Sequence, residues 1–233
     1  LGFILIKDVP IDTSANQNYF KNILYGYRPS VIKENKLFYI ILAAYATFCI
    51  SINTFMPYLI LYYNVSLELD NYVLIMAPAV IVAAIATALY GKVYDRRGFK
   101  TAVMPAVGIL MLGYVFLYFF KNTAFVFVGS LFMMSGYLMG MGVFGAMLRD
   151  YTPENRSGMF QGLRIVGQVL IPGIVGPAIG AAVLKNAATV LNDDGTTSFI
   201  PNENIFLAAF VAACFIWLIL AVIFKLTKKT KEN

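Results

Sequence analysis

Residues 72–120 read YVLIMAPAVIVAAIATALY, GKVYDRRGFK and TAVMPAVGILMLGYVFLYFF in three consecutive blocks. The first block has 19 residues and the third has 20, and neither contains Asp, Glu, Lys or Arg, whereas the ten residues between them contain five charges. About 20 helical residues cross a hydrocarbon core that is about 30 Å thick. The pattern therefore predicts two membrane-spanning helices joined by a short charged connection at 91–100.

The same pattern repeats along the chain, and all 30 charged residues lie between or beyond six uncharged stretches, at 38–63, 72–90, 101–120, 122–148, 165–184 and 205–224. Hydrophobic residues make up 60% of the chain and charged residues 13%, against about 25% charged residues in an ordinary soluble domain. A soluble globular domain is therefore excluded. A membrane barrel is also disfavoured, because its strands would show alternating segments of about 10 residues. We predict an all-α membrane protein, a six-transmembrane-helix bundle at 38–226.

The basic residues predict the orientation of this bundle. Alternate connections carry 16 Lys and Arg on one side and 2 on the other. The positive-inside rule places the richer set, and both chain ends, in the cytoplasm, and we expect a multi-pass protein of the plasma membrane. The basic tail at 227–233 fits a lipid headgroup anchor better than a nucleic-acid site. Residues 1–6 are apolar, and we expect them to end a preceding helix, with the rest of 1–37 as a cytoplasmic loop.

Residue types that carry catalysis or bind metals are scarce. The chain has no histidine, and no uncharged stretch contains an acid or a base. The two cysteines, Cys49 and Cys214, lie in apolar runs and are expected to be small buried side chains. An enzyme active site, a metal site and a bound cofactor are therefore not expected.

The connection at 91–100 resembles the signature loop of the major facilitator superfamily, G-x-x-x-D-R-x-G-R-[KR]. Five positions match it: Gly91, Asp95, Arg96, Gly98 and Lys100. Phe99 stands where the pattern prefers arginine. Physically, Gly91 would permit a close helix approach and Gly98 a positive φ. The resemblance implies helices 7–12 of a twelve-helix carrier, so that this chain is one half of a major facilitator fold, its partner is an N-terminal six-helix half, and the loop acts as a conformational latch.

A second segment agrees with this resemblance. Members of the superfamily often carry an acidic and basic cluster between helices 10 and 11, and here Arg149, Asp150, Glu154 and Arg156 would supply it; the alternative is an ordinary solvated charged loop. The D-Y at 150–151, followed by a glycine and then by Gln161 and Gly162, is similar to the glycoside–pentoside–hexuronide cation symporters. Those commonly have Arg-Glu-Gly in this region and a lysine deeper in helix 11, both of which this chain lacks. The resemblance implies a secondary transporter of a small polar solute, a sugar or glycoside, with a possible coupling cation.

Uncharged polar side chains inside the stretches are the candidate solute contacts. Amides and phenols hydrogen-bond sugar hydroxyls without the cost of placing a charge in the membrane. We select Tyr45 and Asn53 in the first stretch, Tyr137 in the fourth and Gln168 in the fifth. The alternative role for each is a hydrogen bond between helices that only supports assembly.

Glycine is concentrated in the fourth and fifth stretches and their link, where 11 of the 18 glycines lie between Gly129 and Gly180. Gly136 with Gly140, and Gly176 with Gly180, form pairs spaced four residues apart. Such pairs predict close approach of helix backbones in lipid. A non-transporting membrane scaffold or receptor-like relative of the same superfamily remains the main alternative function, and a six-helix channel is a weaker one because no filter sequence is present.

Overall fold

The computed structural model describes residues 25–69, 71–153, 157–191 and 195–232. A 3-10 turn at Tyr25–Tyr27 is followed by these elements: α1 (Pro29–Glu34), α2 (Lys36–Ser66), α3 (Tyr72–Phe119), α4 (Thr123–Asp150), α5 (157–183), β1 (Thr189–Leu191), β2 (Thr197–Phe199) and α6 (Asn204–Glu232). Five of the described helices, α2 to α6, are long and apolar enough to cross a membrane. The chain is thus a multi-pass helical membrane protein. The apolar segment at 1–6 lies outside the described residues.

The sequence predicted six spans, and the difference lies in α3, which contains both the second and the third uncharged stretch. Gly98 interrupts this helix with φ 74° and ψ 176°. The Tyr90 hydroxyl donates to the carbonyl oxygen of Ala102 at 2.8 Å, although twelve residues of straight helix span about 18 Å. The chain therefore bends sharply at Gly98. The count of six spans stays a prediction.

Two helices change their winding inside the bundle, and a proline lies at or just after one such change in each. α2 is regular over Lys36–Phe55 and continues as a 3-10 turn at Met56–Tyr58, which contains Pro57, before a π-helical turn at Tyr62–Ser66. α5 consists of Ser157–Ile165, a π-helical turn at Val166–Leu170 and Ile171–Val183. Pro172 has no N–H for the carbonyl four residues earlier, which favours the wider turn just before it.

Buried hydroxyl groups connect α2 to its neighbours. Ser51 donates to the carbonyl oxygen of Ala209 in α6 at 2.8 Å, so the Tyr114 hydroxyl of α3 must donate to Ser51, at 3.0 Å. By the same reasoning Tyr63 donates to Ser130 of α4 at 2.7 Å, because Ser130 gives its own proton to a backbone carbonyl in α4. α2 is therefore the central helix of the bundle.

The connections gather at two opposite ends. At one end, the bend of α3 meets the last turns of α4 and α6, where Lys100 Nζ lies 5.3 Å from the centre of the Phe224 ring. At the other end, Lys121 pairs with Glu203 at 3.3 Å and Ser66 donates to the carbonyl of Pro201. This alternation agrees with the alternating charge of the connections, while the sidedness itself stays a prediction.

Three local features differ from the sequence expectation. An antiparallel hairpin of β1 and β2 pairs Thr189 with Phe199 between α5 and α6, where no strand was expected. The tail from residue 227 continues α6 as far as Glu232, because an apolar helix entering a Lys-rich segment meets no helix breaker. Cys49 is buried as expected, but Cys214 is exposed, because it lies on the outward face of α6.

Candidate functional site

Three helices meet around Arg164, and two of them, α2 and α5, supply the polar side chains there. In α5, Arg164 Nε donates to Gln168 Oε1 at 3.1 Å, one helical turn away. Gly145 of α4 lies next to both groups, since a Cβ built there would be in ordinary contact at 3.6 Å from Arg164 Nη2 and 3.9 Å from the Tyr45 hydroxyl. The guanidinium thus lies beside the hydroxyl of Tyr45 in α2. We call Tyr45, Met141, Arg164 and Gln168 the Arg164 cluster.

The cluster lies inside the helical part of the bundle. Tyr45 comes nine residues after Lys36, the first residue of α2, which corresponds to about 14 Å along the helix axis. Arg164 and Gln168 are half-buried. From the sequence Arg164 would belong to the membrane edge, and it was not among the candidate solute contacts. Its spacing of four residues from Gln168 was the signal that could have identified it.

Tyr45 itself contributes only its hydroxyl to the cluster. The ring is 1% exposed and is stacked on Phe144 with the ring centres 5.6 Å apart. The hydroxyl donates to the sulfur of Met141 at 3.5 Å. In this conformation the ring packs in the core, and its role as a solute contact stays a prediction.

The other two candidate contacts lie near this cluster but outside it. Tyr137 of α4 is half-buried and lies close to Cys49 and Tyr45. Asn53 lies two turns beyond Tyr45, where its Nδ2 donates to the carbonyl oxygen of Cys49 at 2.9 Å. A Cβ at Gly176 of α5 would lie 2.5 Å from Asn53 Cβ. The structure therefore brings Tyr45 and Gln168 to Arg164, with Tyr137 beside Tyr45, and it places Asn53 at a separate contact between α2 and α5.

The residues of the signature-like loop form the bend of α3. Gly98 has the positive φ expected from the sequence. A Cβ built at Gly91 meets nothing within 4 Å, so no described helix approaches it closely, and the expected close approach stays a prediction. Asp95 and Arg96 are exposed, and neither forms an ion pair with any other described residue.

Tyr94 makes the connection that the sequence analysis missed. Its hydroxyl donates to Asp150 Oδ2 at the end of α4, at 2.6 Å. Burial and the Asp150 carboxylate raise the pKa of Tyr94 above its ordinary value, so the phenol keeps its proton and remains a donor. Arg149 pairs with the other oxygen of Asp150 at 3.5 Å. Glu154 and Arg156, the other members of the predicted charge cluster, lie outside the described residues.

A hollow of about 840 Å³ lies between α2, α5 and α6 and differs in chemistry from the Arg164 cluster. Its walls are almost entirely apolar and include Ile50, Val175 and Phe215. Such a surface suits lipid chains better than a hydroxylated solute. Among the described residues, no group of three or more His, Cys, Asp or Glu side chains could hold a metal ion.

Two sequence comparisons, with protein families and with curated proteins, find no relative. No protein-family model matches the chain, and no curated protein matches its sequence. Its function is therefore inferred from its own residues and their geometry.

Proposed function

We propose that this chain is the C-terminal half of a secondary active transporter of the major facilitator type. It would move a small polar solute, a sugar or glycoside, by alternating access between two six-helix halves. The signature-like loop at 91–100 and the sharp bend at Gly98 support the family. In this proposal the bend divides α3 into two spans, which gives six spans with both chain ends in the cytoplasm of the plasma membrane.

The observation that carries the proposal is the Arg164 cluster. The half-exposed guanidinium of Arg164 and amide of Gln168 lie inside the helical bundle. Contact between these polar groups and lipid chains would cost free energy. They are instead suited to a water-filled cavity or to a facing protein half. Arg164 and Gln168 together offer several donors and one acceptor, which matches the hydroxyl groups of a sugar, and the guanidinium would also pair with the carboxylate of an acidic glycoside.

The winding of α5 supports movement at this site. The π-helical turn Val166–Leu170 carries Gln168, and it is followed directly by Pro172. π-helical turns and prolines are the usual places where helices kink, and discontinuous helices commonly form the sites of carriers. A change of bend here would reorient Gln168 and Arg164 relative to α2.

The proposed partners follow from this arrangement. The face of α2, α4 and α5 that carries the Arg164 cluster would meet the N-terminal six-helix half across the solute. A coupling cation, if one is used, would be bound by groups of that other half, because the uncharged stretches of this chain contain no acid. Chemical conversion of the solute, a cofactor and nucleic-acid binding form no part of the proposal.

Uptake by the purified protein in proteoliposomes tests the proposal. A panel of radiolabelled neutral and acidic sugars and glycosides identifies a transported solute. Arg164→Gln and Gln168→Ala should then lower the rate about 10-fold or more, since a hydrogen bond to a charged group contributes about 1.5–3 kcal/mol. Gln161→Ala is the matched control, because Gln161 lies in the same helix and is exposed.

The outcomes separate the proposed carrier from a scaffold. Wild-type rates in both Arg164→Gln and Gln168→Ala would remove the cluster as the solute site. An absence of uptake for every solute, together with normal folding, would favour the scaffold. That alternative has one specific support, since Tyr45 and Asn53 already have hydrogen-bond partners inside the bundle.

The topology has its own test. In a Cys49→Ala/Cys214→Ala background, Lys92→Cys and Lys121→Cys are labelled separately in intact cells with a reagent that does not cross membranes. Only the cysteine at position 121 should react, because the two positions belong to connections at opposite ends of the bundle. Labelling of both positions, or of position 92 alone, would contradict the proposed orientation.

A further inference from the structure

A second hollow, of about 620 Å³, lies where α3 bends, between the last turns of α4 and α6. Unlike the apolar hollow described above, it is partly polar. Its walls differ in character. Basic side chains line one part of it, namely Arg97, Lys100 and Lys228. Apolar side chains line another part, namely Phe99, Met147 and Phe224. The hollow is therefore amphipathic, and it is distinct from the Arg164 cluster.

Arg97 and Lys100 carry charge that no described carboxylate neutralises. Arg97 and Lys100 are exposed, and neither forms an ion pair among the described residues. The one carboxylate in the wall, Asp150, already accepts from Tyr94 and pairs with Arg149. Two cations on one short bend are thus available to an anion, and guanidinium and ammonium groups are the usual protein partners of phosphate.

The apolar part suits the portion of a lipid next to its headgroup. Phe99 packs edge-on against Phe224, with the ring centres 6.4 Å apart, and against Phe144 at 5.7 Å. Met147, which also lines the hollow, is buried. Aromatic side chains at helix ends typically lie at the level of lipid headgroups. A free anion in water would make no use of such a wall, whereas a phospholipid would contact both parts.

We propose that this hollow binds the phosphate group of an anionic phospholipid, with Arg97 and Lys100 as the phosphate partners and Phe99 and Phe224 against the glycerol region. The bound lipid would bridge the bend of α3 and the end of α6. This binding does not depend on transport, and it can be measured without a transported solute.

The test is lipid retention by the purified protein in detergent, measured by native mass spectrometry with phosphatidylglycerol and with zwitterionic phosphatidylcholine. The variant is R97Q/K100Q. K92Q/R96Q is the matched control, because it removes the same two charges from the same bend at exposed positions outside the hollow.

We expect the wild type and the control to retain phosphatidylglycerol in preference to phosphatidylcholine. R97Q/K100Q should bind phosphatidylglycerol about 30-fold more weakly. Each basic side chain contributes about 1 kcal/mol to binding, and a loss of about 1.4 kcal/mol weakens the affinity tenfold. R97K/K100R keeps both charges and should keep binding, which separates loss of the site from loss of folding.

Three results would overturn the proposal. Equal losses in R97Q/K100Q and K92Q/R96Q would show only general attraction to negative lipid. Unchanged binding in R97Q/K100Q would place the lipid elsewhere. Displacement of phosphatidylglycerol by millimolar inorganic phosphate, with phosphate alone protecting the protein from heat as well as the lipid does, would show a soluble-anion site instead.

Discussion

α4 and α5 are both rich in glycine, yet they hold different positions in the bundle. In an apolar stretch of 18 residues taken from each helix, 50% of the stretch is buried in α4 and 22% is buried in α5. α4 packs between α2 and α3, whereas α5 rests mainly on α2 and leaves most of its surface exposed. Similar composition therefore produces one helix fixed inside the bundle and one helix at its margin.

The glycines show the physical origin of this difference. A Cβ at Gly136 of α4 would lie 2.5 Å from Leu110 Cα, and a Cβ at Gly113 of α3 would lie 2.6 Å from Met133 Cα. The two backbones thus approach each other at two levels. Gly140 of α4 also lies close to Phe48 of α2, whereas Gly176 and Gly180 of α5 approach α2 alone. Gly173 of α5 faces open space. Because the close contacts of α5 lie along a single stripe of its surface, α5 is freer to move than α4.

The largest expected effect is that of Gly136→Ala in α4. The added methyl group would overlap the backbone of Leu110, and overpacking of this kind costs about 1–3 kcal/mol. Gly142→Ala is the control, because a Cβ there meets nothing within 4 Å, and it should be neutral or slightly stabilising. The free energy of unfolding in detergent is the measurement, and equal values for the two variants would show that this seam is not tightly packed.

The next effect concerns the buried hydroxyl pair that holds α4 to α2. Ser130→Ala leaves the fully buried Tyr63 hydroxyl without its partner, at a cost of about 1–3 kcal/mol. Adding Tyr63→Phe removes the unpaired hydroxyl and should restore part of the loss. A double-mutant cycle of unfolding free energies checks this, and a strictly additive result would contradict the pairing.

Gly176→Ala in α5 should cost less than Gly136→Ala, about 1 kcal/mol. The clash with Asn53 is comparable, but α5 can shift outward because fewer residues cover it. Gly173→Ala serves as the control in the same helix. A loss in Gly176→Ala as large as that in Gly136→Ala would break the comparison between the two helices and show α5 to be equally fixed.

The smallest effect belongs to Tyr94→Phe, which removes the hydrogen bond to Asp150 at the end of α4. At neutral pH the loss should be about 0.5–1 kcal/mol. Because the pKa of Tyr94 is raised in the folded protein, its contribution is complete below the unfolded pKa of about 10 and falls as pH rises above it. Unfolding free energies between neutral and alkaline pH should therefore converge for wild type and Tyr94→Phe; curves that stay parallel would contradict this role.

Several parts of the site could be predicted from sequence. The positive φ of Gly98 followed from its place in a charged turn, and the spacing of Gly176 and Gly180 predicted their approach to another helix. The role of Arg164 was missed because hydropathy assigns a charged residue to the membrane edge, whereas its long side chain extends toward Tyr45. Tyr94 was missed because its partner, Asp150, lies 56 residues away.

The sequence by itself determined that the chain is a helical membrane protein and that its connections alternate between two ends. This follows because a fixed hydrocarbon thickness requires about 20 uncharged residues per span. Only the tertiary structure decided which glycines touch a neighbouring backbone and that Arg164, Gln168 and Tyr45 meet. Those contacts depend on the rotation of each helix about its axis, and the π-helical turn in α5 shifts that rotation in a way that composition does not specify.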